Sequence, residues 1–214
     1  RKLIMVGKAP KYLEDGLFTA YRELEKKYGK NIPVAVRTSG VCEDMPNASF
    51  AGQFETYLNV RGEKELMVAV RNCIASTFSD RAIAYRHDKN VKQLEFGLSI
   101  GIIKMVRSDI GSSGIMFSLD TETGFPDVVL INSIWGLGEM IVKGRITPDE
   151  FLVFKSTLNK DNYKPIIKKN LGRKTVKYAY GKYGKEGGIK EVKVPKNKQL
   201  QFSLEDKDIL KLAK

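Results

Sequence analysis

Apolar residues recur at helical spacing through residues 11–28, where Tyr12, Leu13, Leu17, Ala20, Tyr21, Leu24 and Tyr28 share a face and Gly29, Asn31 and Pro33 end the run. The pattern predicts one amphipathic helix. A second run from 63 to 86, carried by Leu66, Val70, Cys73, Ile74, Thr77, Phe78, Ala82 and Tyr85, predicts a longer helix bent near Ser79. Beyond it the apolar runs shorten or alternate at 96–106, 113–119, 127–134 and 150–154, separated by Gly, Pro and Asp, and read as strands of one sheet. Residues 164–194 alternate Ile, Val and Tyr with Lys around Gly181, Gly184, Gly187 and Gly188, and read as a solvent-exposed hairpin. The chain closes on SLEDKDILKLAK, where Ser203 is placed to cap a helix with Leu204, Ile209, Leu210 and Leu212 on its apolar face. Helices mixed with predominantly antiparallel strands make the expected class α+β.

One stretch departs from these patterns. VAVR at 34–37 reads as a buried strand, and the chain then runs through TSGVCEDMPNASFAGQFE before a second strand-like segment at 57–60. A run so poor in bulky apolar residues contributes little to a core. Arg37 leaves the end of a rigid strand with a planar fork of donors suited to phosphate. Gly40, Ser49, Ala51 and Gly52 let backbone N–H groups approach an anion, and Ser39, Ser49 and Thr56 add hydroxyl donors. The spacing is not that of a P-loop. The competing reading is a surface loop with Arg37 in a salt bridge to Glu43 or Asp44.

Composition narrows the setting. With 214 residues, 42% of them hydrophobic, the chain can bury a sizeable core. No apolar run approaches the ~20 residues of a membrane span, and the first residues lack the features of a signal peptide, so a cytoplasmic protein with no membrane partner is expected. Cys42 and Cys73 support neither a disulfide framework nor a zinc site. Of the net charge of +12, residues 155–200 hold +11, with 14 Lys or Arg against three Asp or Glu. The basic character is local. It admits a polyanionic partner, either a nucleotide or a nucleic acid. The start at Arg1 without Met, and a final helix cut off as it begins, suggest a piece of a longer protein.

The run VAVRTSGVCEDMPNASFAGQFETYLNVRG resembles the N-terminal nucleotide-binding domain of the phosphoenolpyruvate-utilising enzymes, on the phosphoenolpyruvate synthase (pyruvate, water dikinase) branch of a family that includes pyruvate phosphate dikinase and rifampicin phosphotransferase. The likeness continues through SDRAIAYR, IKMVRSDIGSSGIMFSLDTETGF, INSIWGLGEMIVKGRITPDEFLVFK and KKNLGRKTVKYAYG, collinear over nearly the whole chain. It implies a partial ATP-grasp-like domain. Its segments would be an N-terminal helical part at 1–33, a core with phosphate loop and adenine hinge at 34–155, and a basic hairpin with a truncated helix at 156–214.

The resemblance also implies a kinase or phosphotransferase activity for the parent, converting ATP, pyruvate and water to AMP, phosphoenolpyruvate and phosphate through a phosphohistidine on another domain. By the same resemblance Arg37 binds the ATP phosphates and acts as the catalytic arginine, Ser49, Phe50, Ala51, Gly52 and Gln53 cover them, and Thr56 ends that flap. Lys104, Met105 and Val106 form the adenine hinge, and Glu139 lies near the ribose. Mg²⁺ accompanies ATP, with its ligands expected outside this chain, as is the family's ATP-site lysine; alone, the chain is expected to be inactive. Partners implied are ATP and the parent's phosphohistidine and pyruvate-binding domains, and a homodimeric parent is compatible with the family. Thr38, Cys42 and Ile103 depart from the family pattern, and Ile103 stands where a Gln would reach adenine.

Other residues have plainer readings. His87 lies in a charged turn and resembles no phosphohistidine motif, Asp120 and Glu122 flank a tight turn, and Trp135 suits packing on the sheet as well as stacking on a base. The Lys-rich hairpin is read as a solvated face. Two alternatives stay open: another dikinase or phosphotransferase of the same family, of the pyruvate phosphate dikinase or antibiotic phosphotransferase type, and a basic nucleic-acid-binding module, which the sparse exposed aromatics disfavour.

Overall fold

A short helix α1 (Lys2–Val6) precedes the first amphipathic run, which folds as α2 (Lys11–Tyr28) and stops where Gly29 takes a φ of 103° and returns its N–H to Glu25 O at 2.9 Å. The computed structural model describes residues 1–40, 44–45, 48–49, 55–93, 97–184 and 187–214. They mix helices with antiparallel sheets, the α+β class that the sequence predicts. The chain divides into two compact units, Arg1–Val106 with Gly181–Ile189, and Arg107–Tyr180 with Lys190–Lys214.

In the first unit β1 (Val34–Gly40) is followed by the short pair β2 (Asp44–Met45) and β3 (Ala48–Ser49), then β4 (Thr56–Val60), α3 (Gly62–Ser76), α4 (Asp80–Asp88) and β5 (Leu98–Lys104). The three longer strands form an antiparallel sheet in the order β4-β1-β5. Because side chains alternate across a strand, Val34 and Val36 share one face, buried in a cluster with Tyr21 of α2 and Leu66, Ala69, Val70 and Cys73 of α3. Each of the Val and Leu side chains contributes about 1.5–3 kcal/mol of burial before entropy is counted. The Tyr21 hydroxyl donates to Ile32 O and accepts from Gly62 N, both at 2.8 Å, and so joins the two helices to the strand entrance.

The single bent helix expected over 63–86 is two helices. At Ser79 the backbone is extended (φ −71°, ψ 153°) and the hydroxyl accepts from Ala82 N at 3.3 Å, which caps α4 and interrupts the helical run.

The second unit holds β6 (Ser112–Phe117), β7 (Val128–Trp135), α5 (Glu139–Val142), β8 (Asp149–Phe154) and β9 (Ile166–Asn170). The hairpin strands β10 (Val176–Gly184) and β11 (Gly187–Lys193) pair with each other, and α6 (Lys196–Gln199) and α7 (Asp206–Ala213) follow. The sheet is antiparallel in the order β6-β7-β8-β9. Register sets Val129 opposite Val153 and Ile131 opposite Phe151, and Ile209 of α7 closes the cluster they form. The runs at 96–106 and 113–154 therefore belong to two sheets rather than one, since periodicity identifies a strand but not its neighbour.

The basic stretch 164–194 is not one exposed hairpin. Its first part is β9, an edge strand paired with β8, and Lys174 is fully buried. Register also puts Asp149 opposite Ser133 on the inner face. The Asp149 carboxylate accepts from Lys174 Nζ, from Gly172 N at 2.8 Å, and from Ser203 N and Oγ at 2.7 and 2.6 Å, so a buried charge is paired and its lone pairs are occupied. Ser203 is consequently not the cap of the last helix, which begins at Asp206 after an extended Glu205. Among the described residues no helix is long and apolar enough to cross a membrane.

Candidate nucleotide site

The open face of the first sheet is where β1 changes character. Val34, Ala35 and Val36 are buried, whereas Arg37 is exposed. Arg37 shares its face with Ala35 and Ser39, opposite the helices. Its Cα partners are Thr56 on β4 and Gly101 on β5. The Met105 N–H donates to Pro33 O at 3.0 Å, and ladder alternation from that bond makes Arg37–Gly101 a hydrogen-bonded pair. On its β4 side Arg37 therefore meets Thr56 in a non-hydrogen-bonded pair, the arrangement that brings side chains closer. Small neighbours (Ala35, Ser39, Thr56, Ser99 and Gly101) leave the guanidinium room above the sheet. Among the described residues no carboxylate pairs with it. Toward the described side chains a cation so placed can take an anionic ligand without first breaking an ion pair; Glu43 and the Asp44 side chain, the partners of the competing reading, lie outside what is described.

The proposed flap is only partly covered: Ser49 pairs with Asp44 through the backbone of β3, and Phe50, Ala51, Gly52 and Gln53 lie outside the described residues, as do Cys42 and Glu43. Of the residues expected at the hinge, Lys104 ends β5, an edge strand among the described residues, and Met105 and Val106 follow it. Met105 spends its N–H on β1, so by alternation Lys104 turns its C=O and N–H to the outer edge. The Lys104 ammonium lies 4.3 Å from the centroid of the Tyr28 ring, on the helix side. At the open strand edge Lys104 thus presents its backbone rather than its charge. Ile103 is exposed on the open face.

Glu139 belongs to the second unit. It opens α5, is mostly buried, and its carboxylate lies 3.4 Å from Lys143 Nζ. The preceding loop is held tightly. Gly136 (φ 82°) donates to Gly111 O at 3.0 Å and accepts from Ser113 Oγ at 2.6 Å, while Leu137 N donates to Tyr178 O at 3.1 Å. A Cβ at Gly136 would come within 2.5 Å of Tyr178 O, so both the backbone angle and the contact require glycine. Tyr178, which lies in the stretch expected to be a solvent-exposed hairpin, is 4% exposed.

The plainer readings can be checked one by one. His87 is exposed beside Asp88 as expected, but lies in the last turn of α4 rather than in a turn. Asp120 accepts from Glu122 N and Thr123 Oγ1 in a turn closed by Gly124 N donating to Asp120 O. Trp135 donates its indole N–H to Lys198 O at 3.1 Å. Burial, with Glu55 adding to it, pushes the Cys73 thiol up to about 12, which disqualifies it as a nucleophile. Among the described residues no group of three or more His, Cys, Asp or Glu is placed to hold a metal ion. Two contributors were not expected from the sequence: Gly101, whose lack of a side chain beside Arg37 only register reveals, and Asn59, a buried polar residue between Leu58 and Val60 of β4.

Comparison with known proteins gives this geometry a context. All of residues 1–214 match the family described as "Pyruvate phosphate dikinase, AMP/ATP-binding domain". The chain belongs to that family. A phosphoenolpyruvate synthase of Aquifex aeolicus is 53% identical over the whole chain, which covers 25% of that protein. One of Helicobacter pylori is 51% identical, again over the whole chain and 26% of its own length, and one of Escherichia coli is 45% identical over 94% of the chain and 25% of its own length. The chain spans about a quarter of the length of these curated relatives. On one open sheet face this member of the AMP/ATP-binding domain family carries an exposed Arg37 with no carboxylate partner among the described residues.

Proposed function

We propose that this chain is the ATP-binding part of a phosphoenolpyruvate synthase, the enzyme that turns ATP, pyruvate and water into AMP, phosphoenolpyruvate and phosphate by way of a phosphohistidine on another domain. The observation that carries the reading is Arg37: an exposed guanidinium without a carboxylate partner among the described residues, flanked in register by Thr56 and Gly101. The names of the relatives support the choice of synthase.

In this reading Arg37 grips the phosphates through its fork and stabilises the charge that develops on the transferred group. Thr56 adds a hydroxyl beside it, and Ser49, Phe50, Ala51, Gly52 and Gln53 cover the phosphates. At the hinge Lys104 presents its carbonyl to the adenine amino group, and Val106, two residues on, falls on the same side of the strand period. Met105 serves by holding the strand end to Pro33. Glu139 meets the ribose. Magnesium would neutralise phosphate charge, and its ligands are expected outside this chain; among the described residues no group of three or more His, Cys, Asp or Glu is placed to hold a metal ion. Pyruvate and the phosphohistidine likewise belong to other parts of the parent.

Calorimetric titration of the protein carrying this chain with ATP and with adenosine tests the reading. Arg37→Ala is expected to weaken ATP by about 10- to 100-fold, the worth of charge-assisted hydrogen bonds, and to leave adenosine binding unchanged. Equal ATP affinity with and without Arg37 would remove the phosphate assignment.

A further inference from the structure

Asn59 is the least expected residue of the first unit. It lies in β4, is 3% exposed, and holds a φ of 53°, a left-handed backbone that Asn tolerates better than other residues with a side chain. A buried amide must find partners, and Asn59 finds them in three directions. Its Nδ2 donates to Gly188 O at 2.7 Å and to Gly181 O at 3.3 Å, one carbonyl from each strand of the hairpin tip. Its Oδ1 accepts from Arg61 Nε at 2.9 Å. Its backbone N–H donates to Met105 Sδ.

The approach is as close as backbone allows. A Cβ on Gly188 would stand 2.4 Å from Asn59 O and 2.9 Å from Asn59 Nδ2, so glycine at 188 is what lets the tip reach the amide. These contacts form a continuous line within one unit. Gly181 and Gly188 rest on Asn59, Asn59 on Met105, and the Met105 N–H on Pro33 O. A residue tying only the hairpin to the sheet would not need its own backbone N–H aimed at the side chain of a hinge residue.

We infer that Asn59 is a positioning residue for nucleotide selection: by seating Gly181 and Gly188 and fixing Met105, it sets the strand edge on which Lys104 offers its carbonyl to adenine. The inference rests on the hinge reading given under Proposed function. A carbonyl at that edge accepts from the adenine amino group and faces an oxygen in guanine, so a displaced hinge costs discrimination rather than phosphate grip. The hairpin tip and the base preference thus share one anchor.

The test uses three substitutions in the protein carrying this chain. Asn59→Gly keeps the left-handed backbone and deletes the amide; Asn59→Asp keeps the acceptor for Arg61 and deletes the donor; Gly188→Ala leaves Asn59 intact and drives the tip away. For each, ATP and GTP dissociation constants and hydrogen exchange over 181–189 are measured beside the native protein. Expected are faster exchange at the tip and an ATP-over-GTP preference reduced about three- to tenfold, the worth of about one buried hydrogen bond. The additional loss caused by Arg37→Ala should remain as large as in the native background. Faster exchange with an unchanged preference would overturn the inference, leaving Asn59 as a tie for the hairpin alone. A native protein that binds ATP and GTP alike would overturn the hinge reading and this inference together. Should either Asn59 variant not fold, Gly188→Ala decides by the same two readings.

Discussion

Three cations, Arg37 in the first unit and Lys174 and Arg107 in the second, come from one basic chain and end in different environments. Arg37 is exposed on an open sheet face with no carboxylate among the described residues, whereas Lys174 is fully buried on Asp149 and adds Gly172 O at 3.2 Å. Arg107 stands between them, half-exposed, its fork on the buried Asp109 at 2.8 and 3.0 Å. Positive charge by itself says little about function. What separates the three is how much of the ion's interaction the fold has already used: all of it at Lys174, part at Arg107, and none that is seen at Arg37.

The largest effect follows from the completed pair. Lys174→Ala leaves the Asp149 carboxylate buried and short of its counter-ion, and Asp149→Asn strands the ammonium; either is expected to cost about 3–5 kcal/mol in denaturant unfolding. Nucleotide affinity per folded molecule should stay the same. A loss below about 1 kcal/mol would break the contrast by showing that Lys174 reaches water. Arg37→Ala is the mirror image. Unfolding free energy should move by no more than about 0.5 kcal/mol, as for exposed positions away from structural ties, while the ATP loss of about 1.5–3 kcal/mol appears in binding alone.

A smaller change sharpens the same contrast. Arg37→Lys keeps the charge and removes the two-pronged donor, so it should fall between native and Arg37→Ala, about 1 kcal/mol weaker for ATP than native. An affinity equal to that of the native protein would make Arg37 a point charge rather than a fork.

How far the sequence foretold these roles depends on the distance of the partner. The helix at 11–28 and the strand beginning at Val34 are legible because their periodicity is local, but that strand does not end at Arg37 as expected: it runs on through small residues to Gly40. The two sheets and the burial of Lys174 are not legible, and at Ser79 the bend is legible but the full break is not. Lys174 meets an acid 25 residues earlier and reads in sequence like its exposed neighbours; Ser203, which resembles a helix cap, meets the same acid 54 residues away. Asn59 depends on carbonyls 122 and 129 residues later. At Phe50, Ala51, Gly52 and Gln53 the family likeness is the sole guide, since they lie outside the described residues.

The smallest expected effect belongs to the intermediate case, and it is read against pH. Hydrogen bonding from Arg107, opposed by burial and aided by the Arg107 and Lys177 charges, holds the Asp109 carboxyl below the usual carboxylate range. A group whose folded pKa is depressed contributes stability that is fully present above its unfolded value of about 3.9 and is lost as pH falls through the folded one. Native protein should therefore lose this contribution only on acidification below about pH 4, and Asp109→Asn should lack that part of the acid slope while matching the native slope at higher pH. The effect stays small because Arg107 is half in water, where the pair is screened. It should also shrink in high salt, as the Arg107 contact weakens. The Lys177 ammonium instead donates to the Asp109 carbonyl at 2.8 Å, a bond that protonation of the carboxyl does not break. An acid slope identical in Asp109→Asn and native protein would place Arg107 with Arg37, as a cation whose interaction the fold has left open.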